Sequence, residues 1–186
     1  MKILICITGL PGSGKSFVAD MISERYGAEV FHSGDIIREE VKKRGLEYTP
    51  ENDRKVAEWF HSSGREKLLV KRAWNHVKDS ASWIVILDGF RSYDEVLDLK
   101  ELSGRNPILV KVTAPFKVRE QRELARGRFK HGETVSYLKQ RDADEMKRGL
   151  AKMLKKAQYN IGNSDGEDKL RENVERFMKR VLKSKT

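Results

Sequence analysis

The run Gly9-Leu10-Pro11-Gly12-Ser13-Gly14-Lys15-Ser16 constrains this chain more than any other stretch, because it satisfies G-x-x-x-x-G-K-[ST] at every fixed position. Glycines at that spacing let the backbone curl until successive N–H groups point into one concavity, which holds phosphate oxygens without a charge on every donor. Residues 2–8 are a short apolar, β-branched run. From Lys15 onward the spacing turns helical, with Phe17 and Met21, and Val18 and Ile22, four apart. A strand, a glycine loop and a helix are the context the pattern requires. Gly9, Pro11, Gly12, Ser13, Gly14, Lys15, Ser16 and Phe17 are therefore candidate contacts for a nucleotide polyphosphate. Lys15 would bring positive charge to the outer phosphates, and the Ser16 hydroxyl would be a ligand for Mg²⁺.

At 186 residues the chain fits one domain with a sizeable core and room for small inserted lobes. Its formal net charge of +10 attracts anions without choosing among phosphorylated metabolites, nucleic acid and acidic membrane. The single cysteine, Cys6, has no partner, which excludes disulfides and cysteine-built metal sites. The apolar run near the start is too short for a signal segment or a membrane span, so the expected location is the cytoplasm and no membrane partner is expected.

Further along, Ala28–His32 reads as a second strand, followed by Ser33-Gly34-Asp35, where Ser33 or Asp35 would cap a helix carrying Ile36, Ile37, Glu40 and Val41. Thr49-Pro50-Glu51-Asn52 starts another helix, and the pattern Leu69, Ala73, Val77 continues to about Asp79. Residues 33–80 thus read as a helical lobe inserted over the sheet edge. Trp83–Gly89 is a continuous apolar run ending in Asp88, as in a strand buried on both faces, which puts the acid at the carboxyl end where ligands of parallel sheets bind. Pro107–Thr113 is a fourth strand and Ala157–Ile161 a weaker fifth. Leu170, Val174, Phe177, Met178, Val181 and Leu182 make one apolar stripe on a last helix. Strands alternating with helices imply a parallel α/β sheet covered on both faces.

Asp88 would hold Mg²⁺ through water opposite the loop, and Asp35 would either reach the same metal, orient an attacking oxygen, or only cap its helix. Arg119, Arg122 and Arg126 recur at i, i+3 and i+7 on one helical face, with Arg128 just beyond, and Arg141 and Arg148 are seven apart on the next helix. Guanidiniums converging from two helices suit phosphoryl transfer, whose transition state spreads negative charge over several oxygens. The bland alternative is a solvated surface in which Glu123 pairs with Arg119. The four histidines, His32, His61, His76 and His131, are read as structural or surface residues.

These motifs resemble the adenylate-kinase-like branch of P-loop kinases, which includes nucleoside monophosphate kinases and dephospho-CoA kinase. Gly34-Asp35-Ile36-Ile37-Arg38 is similar to the Gly-Asp-x-x-Arg of the monophosphate kinases, which implies that Arg38, beside Asp35, holds an acceptor phosphate. Asp88-Gly89-Phe90-Arg91 resembles that family's Asp-Gly-Phe-Pro-Arg segment without its proline, with Gly89 and Arg91 on the acceptor side. The stretch of about 126–134 resembles a short lid, which implies lid arginines at Arg122, Arg126 and Arg128 and, from the next helix, Arg141 on the transferred phosphate. Thr113-Ala114-Pro115 and Tyr159–Ser164 look more like dephospho-CoA kinase, where the latter segment, with Asn163, lies by the donor adenine. As a whole the chain most resembles the archaeal adenylate-kinase-related proteins. The resemblance implies a three-layer P-loop NTPase fold with a five-stranded parallel sheet in the order 2-3-1-4-5.

The expectation is an ATP- and Mg²⁺-dependent phosphotransferase acting on a small phosphorylated acceptor, most readily a nucleoside monophosphate such as AMP. A kinase for dephospho-CoA or another metabolite hydroxyl, with Asp35 as base, is the first rival. A nucleotide-dependent assembly factor for RNA or ribosomal protein is the second, permitted by the net charge but not indicated by any basic-aromatic motif.

Overall fold

The computed structural model describes residues 2–61, 65–126 and 131–184. Five parallel strands, β1 (Ile3–Thr8), β2 (Glu29–His32), β3 (Ile84–Asp88), β4 (Ile108–Thr113) and β5 (Tyr159–Gly162), form one sheet in the order β2-β3-β1-β4-β5. This is the three-layer P-loop fold with the expected strand order. β1 is central, and Ile5, Cys6 and Ile7 are all 0% exposed.

Period-two alternation along buried strands sorts the core into two layers. Ile3, Ile5 and Ile7 of β1, with Ile84 and Ile86 of β3, pack on α1 (Lys15–Tyr26) and on the apolar stripe of α9 (Glu167–Lys183). Leu4 and Cys6, with Val85 and Leu87, face the other way. They meet α2 (Ser33–Lys43), α3 (Pro50–Phe60), α4 (Glu66–Val77), α5 (Tyr93–Ser103) and α8 (Ala151–Lys156). Phe60 is the largest side chain buried completely in that second layer, and such a burial stabilises by about 2–3 kcal/mol. A one-residue slip would exchange Ile3, Ile5 and Ile7 with Leu4 and Cys6 between the two layers, so packing on both faces fixes the register of β1. Burial also pushes the Cys6 thiol well above its ordinary value, which leaves it inert.

Between β2 and β3 lie the three helices α2, α3 and α4 among the described residues, in line with the helical spacing of residues 33–80. Thr49 caps α3, its Oγ1 accepting from the Asn52 amide at 3.2 Å. The cap expected at Ser33 or Asp35 is not there. α2 starts at Ser33 itself after an extended His32, with no side-chain cap, and Asp35 lies within the first turn.

α6 (Phe116–Ala125) and α7 (His131–Glu145) follow β4, and α7 runs into a five-residue π-helical turn, Met146–Leu150. Gly149 there has φ +111 and packs against Ser92, where an added Cβ would approach the serine Cβ to 3.2 Å. Arg148 lies within this wide turn and pairs with Glu58 at 3.2 Å. Among the described residues no helix is long and apolar enough to cross a membrane.

Candidate functional site

The carboxyl ends of β1 and β3 lie side by side, and the glycine loop leaves β1 there. Three of its glycines take the left-handed or otherwise glycine-favouring backbone: Gly9 (φ 151), Gly12 (φ 77) and Gly14 (φ 91). Neighbours are so close that side chains are also barred. A Cβ on Gly9 would stand 2.4 Å from the Val112 carbonyl oxygen, and one on Gly14 would stand 2.3 Å from Asn163 Nδ2.

The outer rim of this loop is held by side chains. Lys15 Nζ donates to the carbonyls of Gly9 at 2.9 Å and Leu10 at 3.3 Å. Arg119 Nη1 donates to Pro11 O at 3.0 Å, and Arg122 Nη1 to Gly12 O and Ser13 O, each at 3.3 Å. Asn163 Nδ2 adds a bond to Ser13 O at 2.8 Å, and its own oxygens accept from Arg122 Nη2 at 2.9 and 3.0 Å. Every carbonyl from Gly9 to Ser13 is thus occupied by a donor. Burial lowers the Lys15 ammonium below its ordinary value, opposed by the charges of Asp88 and Glu145. The Arg122 guanidinium is also lowered, by burial first and by Arg126 second.

Asp88 ends β3 beside the start of α1 and is 6% exposed. Its Oδ2 accepts from Ser16 Oγ at 2.8 Å and lies 3.1 Å from His32 Nδ1, while Oδ1 is buried without a hydrogen-bond partner among the described residues. The hydroxyls of Thr8 and Ser13 are in the same condition close by. A hydroxyl beside a carboxylate with one oxygen unsatisfied is an oxygen donor set that suits Mg²⁺, which takes few protein ligands and keeps several waters. Ser16 and Asp88 therefore fit that ion. Among the described residues no cluster of three or more His, Cys, Asp or Glu side chains forms a metal cage.

His32 belongs to this site, although its sequence position suggested only a structural role. Parallel pairing of β2 with β3 sets His32 opposite Asp88, and the hydrogen bond between them raises the imidazole above its ordinary value. The usable signal was that both residues close neighbouring strands.

A cleft of about 460 Å³ opens in front of the loop. Gly9, Pro11, Lys15 and Ser16 line one end with Asp88 and His32. Ser33, Gly34 and Arg38 come from the start of α2, Gly89 and Arg91 from the turn after β3, and Arg141 and Glu145 from α7. Gly89 (φ 104) lets that turn approach α2, since a Cβ there would meet Ser33 Oγ at 2.1 Å. Arg38 is paired with Asp35, and Asp35 itself does not line the cleft. Arg141 donates to Tyr137 Oη at 2.8 Å and to Glu145 Oε1 at 3.2 Å, and Arg91 Nε lies 3.6 Å from Glu145 Oε2.

Other candidates stand outside the cleft lining. Phe17 is exposed on α1; Arg122 and Asn163 sit behind the loop; Arg126 is half exposed and paired with Glu123. The pairing of Glu123 with Arg119 does not occur, because Arg119 is turned to Asp142 and the loop. Arg128 and part of the stretch 126–134 lie outside the described residues.

A family model described as an AAA domain matches residues 8–139. A UPF0200 protein of Aeropyrum pernix is 36% identical over 164 residues, covering 88% of this chain and 85% of the relative. One from Methanosarcina acetivorans is 32% identical, covering 99% and 98%. Among solved structures, TT1252 from Thermus thermophilus is 24% identical with a TM-score of 0.63, covering 100% of this chain and 98% of that one. Shikimate kinase from Acinetobacter baumannii, in complex with shikimate, is 18% identical with a TM-score of 0.64, covering 100% and 96%. These two likenesses are of fold. With its matched AAA domain and its full-length similarity to the archaeal relatives, the chain belongs to the UPF0200 family.

Proposed function

We propose that this chain transfers the γ-phosphate of ATP, with Mg²⁺, to a small phosphorylated acceptor, AMP being the first candidate, in the manner of the adenylate-kinase-like branch. The observation that carries this reading is the shared lining of one cleft by Lys15 and Ser16, by Asp88, and by Arg38, Arg91 and Arg141 from three separate segments. Phosphoryl transfer asks little covalent chemistry of a protein. It asks for alignment of two phosphates and for positive charge where negative charge develops.

On this reading the loop amides and Lys15 hold the outer donor phosphates, Lys15 leaving the carbonyls of Gly9 and Leu10 to do so. Mg²⁺ on Ser16 and, through water, Asp88 would neutralise charge between the β- and γ-phosphates. Arg38, Arg91 and Arg141, with Gly89 beside them, hold the acceptor phosphate, and Arg141 also reaches the group in transfer. Residues 33–80 act as the acceptor lobe and about 126–134 as a lid whose Arg126 serves the donor and Arg128 the acceptor, with Arg122 and Asn163 at its base. Excluding water by such closure protects the donor from hydrolysis.

The place of Asp35 favours a phosphate acceptor over a hydroxyl acceptor such as dephospho-CoA. It is an exposed partner of Arg38 rather than a base facing the loop. The test is a panel assay of ADP formed from ATP with each nucleoside monophosphate, dephospho-CoA, RNA, and no acceptor. ADP formed with a monophosphate is the expected result. A folded protein that forms none with any small acceptor, and hydrolyses ATP only when RNA is added, overturns it in favour of a nucleotide-switched assembly factor.

A further inference from the structure

Glu145 places a negative charge where the phosphotransfer reading has no use for one. It ends α7, is 5% exposed, and lines the same cleft as Arg38, Arg91 and Arg141. A carboxylate so buried requires counter-charge, and Arg91 and Arg141 supply it.

The geometry separates this cluster from a fixed structural pair. Arg119 grips Asp142 through two bonds of 2.8 and 2.7 Å and is itself 4% exposed. Glu145 instead reaches Arg141 by one bond of 3.2 Å and stands 3.6 Å from Arg91, beyond the roughly 2.7–2.9 Å of a strong charge-assisted bond. The side chains of Arg141 and Arg91 remain 38% and 27% exposed, each with an open flank on the cleft. Loose bonds and open flanks are what an exchangeable partner has.

We propose that Glu145 sets the affinity threshold of the acceptor subsite: it occupies Arg91 and Arg141 until a dianionic phosphate monoester, which also engages Arg38, takes them from it. The inference rests on the reading of this end of the cleft as the acceptor's phosphate site. A carboxylate ligand offers the arginines no more charge than Glu145 already does and must in addition be drawn from solution. A phosphate brings a second charge and a third oxygen. Displacing Glu145 costs every anion alike, so the preference comes from the phosphate's own charge and oxygens, and Glu145 sets the level below which a singly charged carboxylate no longer binds measurably.

The test is titration calorimetry of inorganic phosphate and of acetate into the full chain, with the glycine loop saturated by a non-hydrolysable ATP analogue and Mg²⁺, and again without nucleotide. Glu145→Gln keeps the shape and removes the charge. It is expected to bind phosphate about tenfold more tightly and to bring acetate binding into the measurable range. Adding Arg141→Ala to that variant should abolish the gain. A folded Glu145→Gln chain with unchanged or weaker phosphate affinity overturns the inference, as does a gain that survives the loss of Arg141. If the variant does not melt cooperatively, carbon-detected NMR of the unaltered chain replaces it. Phosphate should then shift the Glu145 carboxyl and Arg141 guanidinium signals together, and a stationary Glu145 signal overturns the inference. None of these readouts needs turnover, so failure of the kinase reading, seen as no ADP in the panel assay, is a separate result.

Discussion

Arg119 holds Asp142 through both terminal nitrogens, and one of the two, Nη1, also donates to the Pro11 carbonyl at 3.0 Å. One buried guanidinium thereby ties the glycine loop to α7, at the residue next to Arg141. The position of a cleft-lining arginine and the shape of the glycine loop rest on the same contact.

Asp142→Asn leaves that guanidinium buried beside a neutral amide. Breaking one side of a buried ion pair is costly, and with Asp142 partly exposed the expected loss is about 2–3 kcal/mol. Urea unfolding measures it. ATP-analogue affinity should fall in step, since Pro11 loses its fixed partner; a variant equal to the parent in both would show that Arg119 does not brace the loop.

On the proposed phosphotransfer, Lys15→Ala should lower ADP formation by about a thousandfold or more, because it removes the charge that this reading sets nearest the transferred phosphate. Its melting temperature should change little, since losing a desolvated ammonium offsets losing its bonds to the Gly9 and Leu10 carbonyls. Unchanged turnover would sink the assignment of the site.

Gly14→Ala tests how tightly the loop is built. A side chain at φ +91 is strained, and its Cβ would stand 2.3 Å from Asn163 Nδ2, which must then give up its bond to the Ser13 carbonyl. The expected cost is about 1–3 kcal/mol of stability, with nucleotide affinity lowered about tenfold. Thermal melts and calorimetry read the two effects separately.

His61 gives a pH dependence of known sign. Burial first, and Arg91 second, hold its imidazole at about 4 in the folded chain, below the ordinary histidine value. Between about pH 6.5 and pH 4 the unfolded chain binds the proton and the folded one resists it. Stability therefore falls as pH falls through that window, by up to about 3 kcal/mol. His61→Gln should flatten that part of the profile in urea midpoints taken across it. An unaltered slope would show that other groups produce it.

The glycine loop, the strands and the carboxyl-end position of Asp88 were legible because each is written in consecutive residues and a fixed period. His32 and Glu145 were not, for a physical reason. His32 becomes a partner of Asp88 only through the register of β2 on β3, and Glu145 joins the cleft only where the end of α7 meets residues from β1, α2 and the turn after β3, far apart in sequence. Helical spacing correctly put Arg119 and Arg122 on one face but could not say what that face meets. They meet the back of the glycine loop and not the cleft. Ser33 and Asp35 fitted the composition of a cap, yet the strand passes into α2 at His32 without one.

The carbonyls of Gly9 through Ser13 are all claimed by Lys15, Arg119, Arg122 and Asn163, side chains drawn from α1, from α6 and from beyond β5. A fragment that stopped before Phe116 would keep all eight letters of the motif and lose three of those four anchors. The motif is spelled near one terminus but assembled by the whole chain, and grafting it alone onto another scaffold would transfer the spelling without the grip.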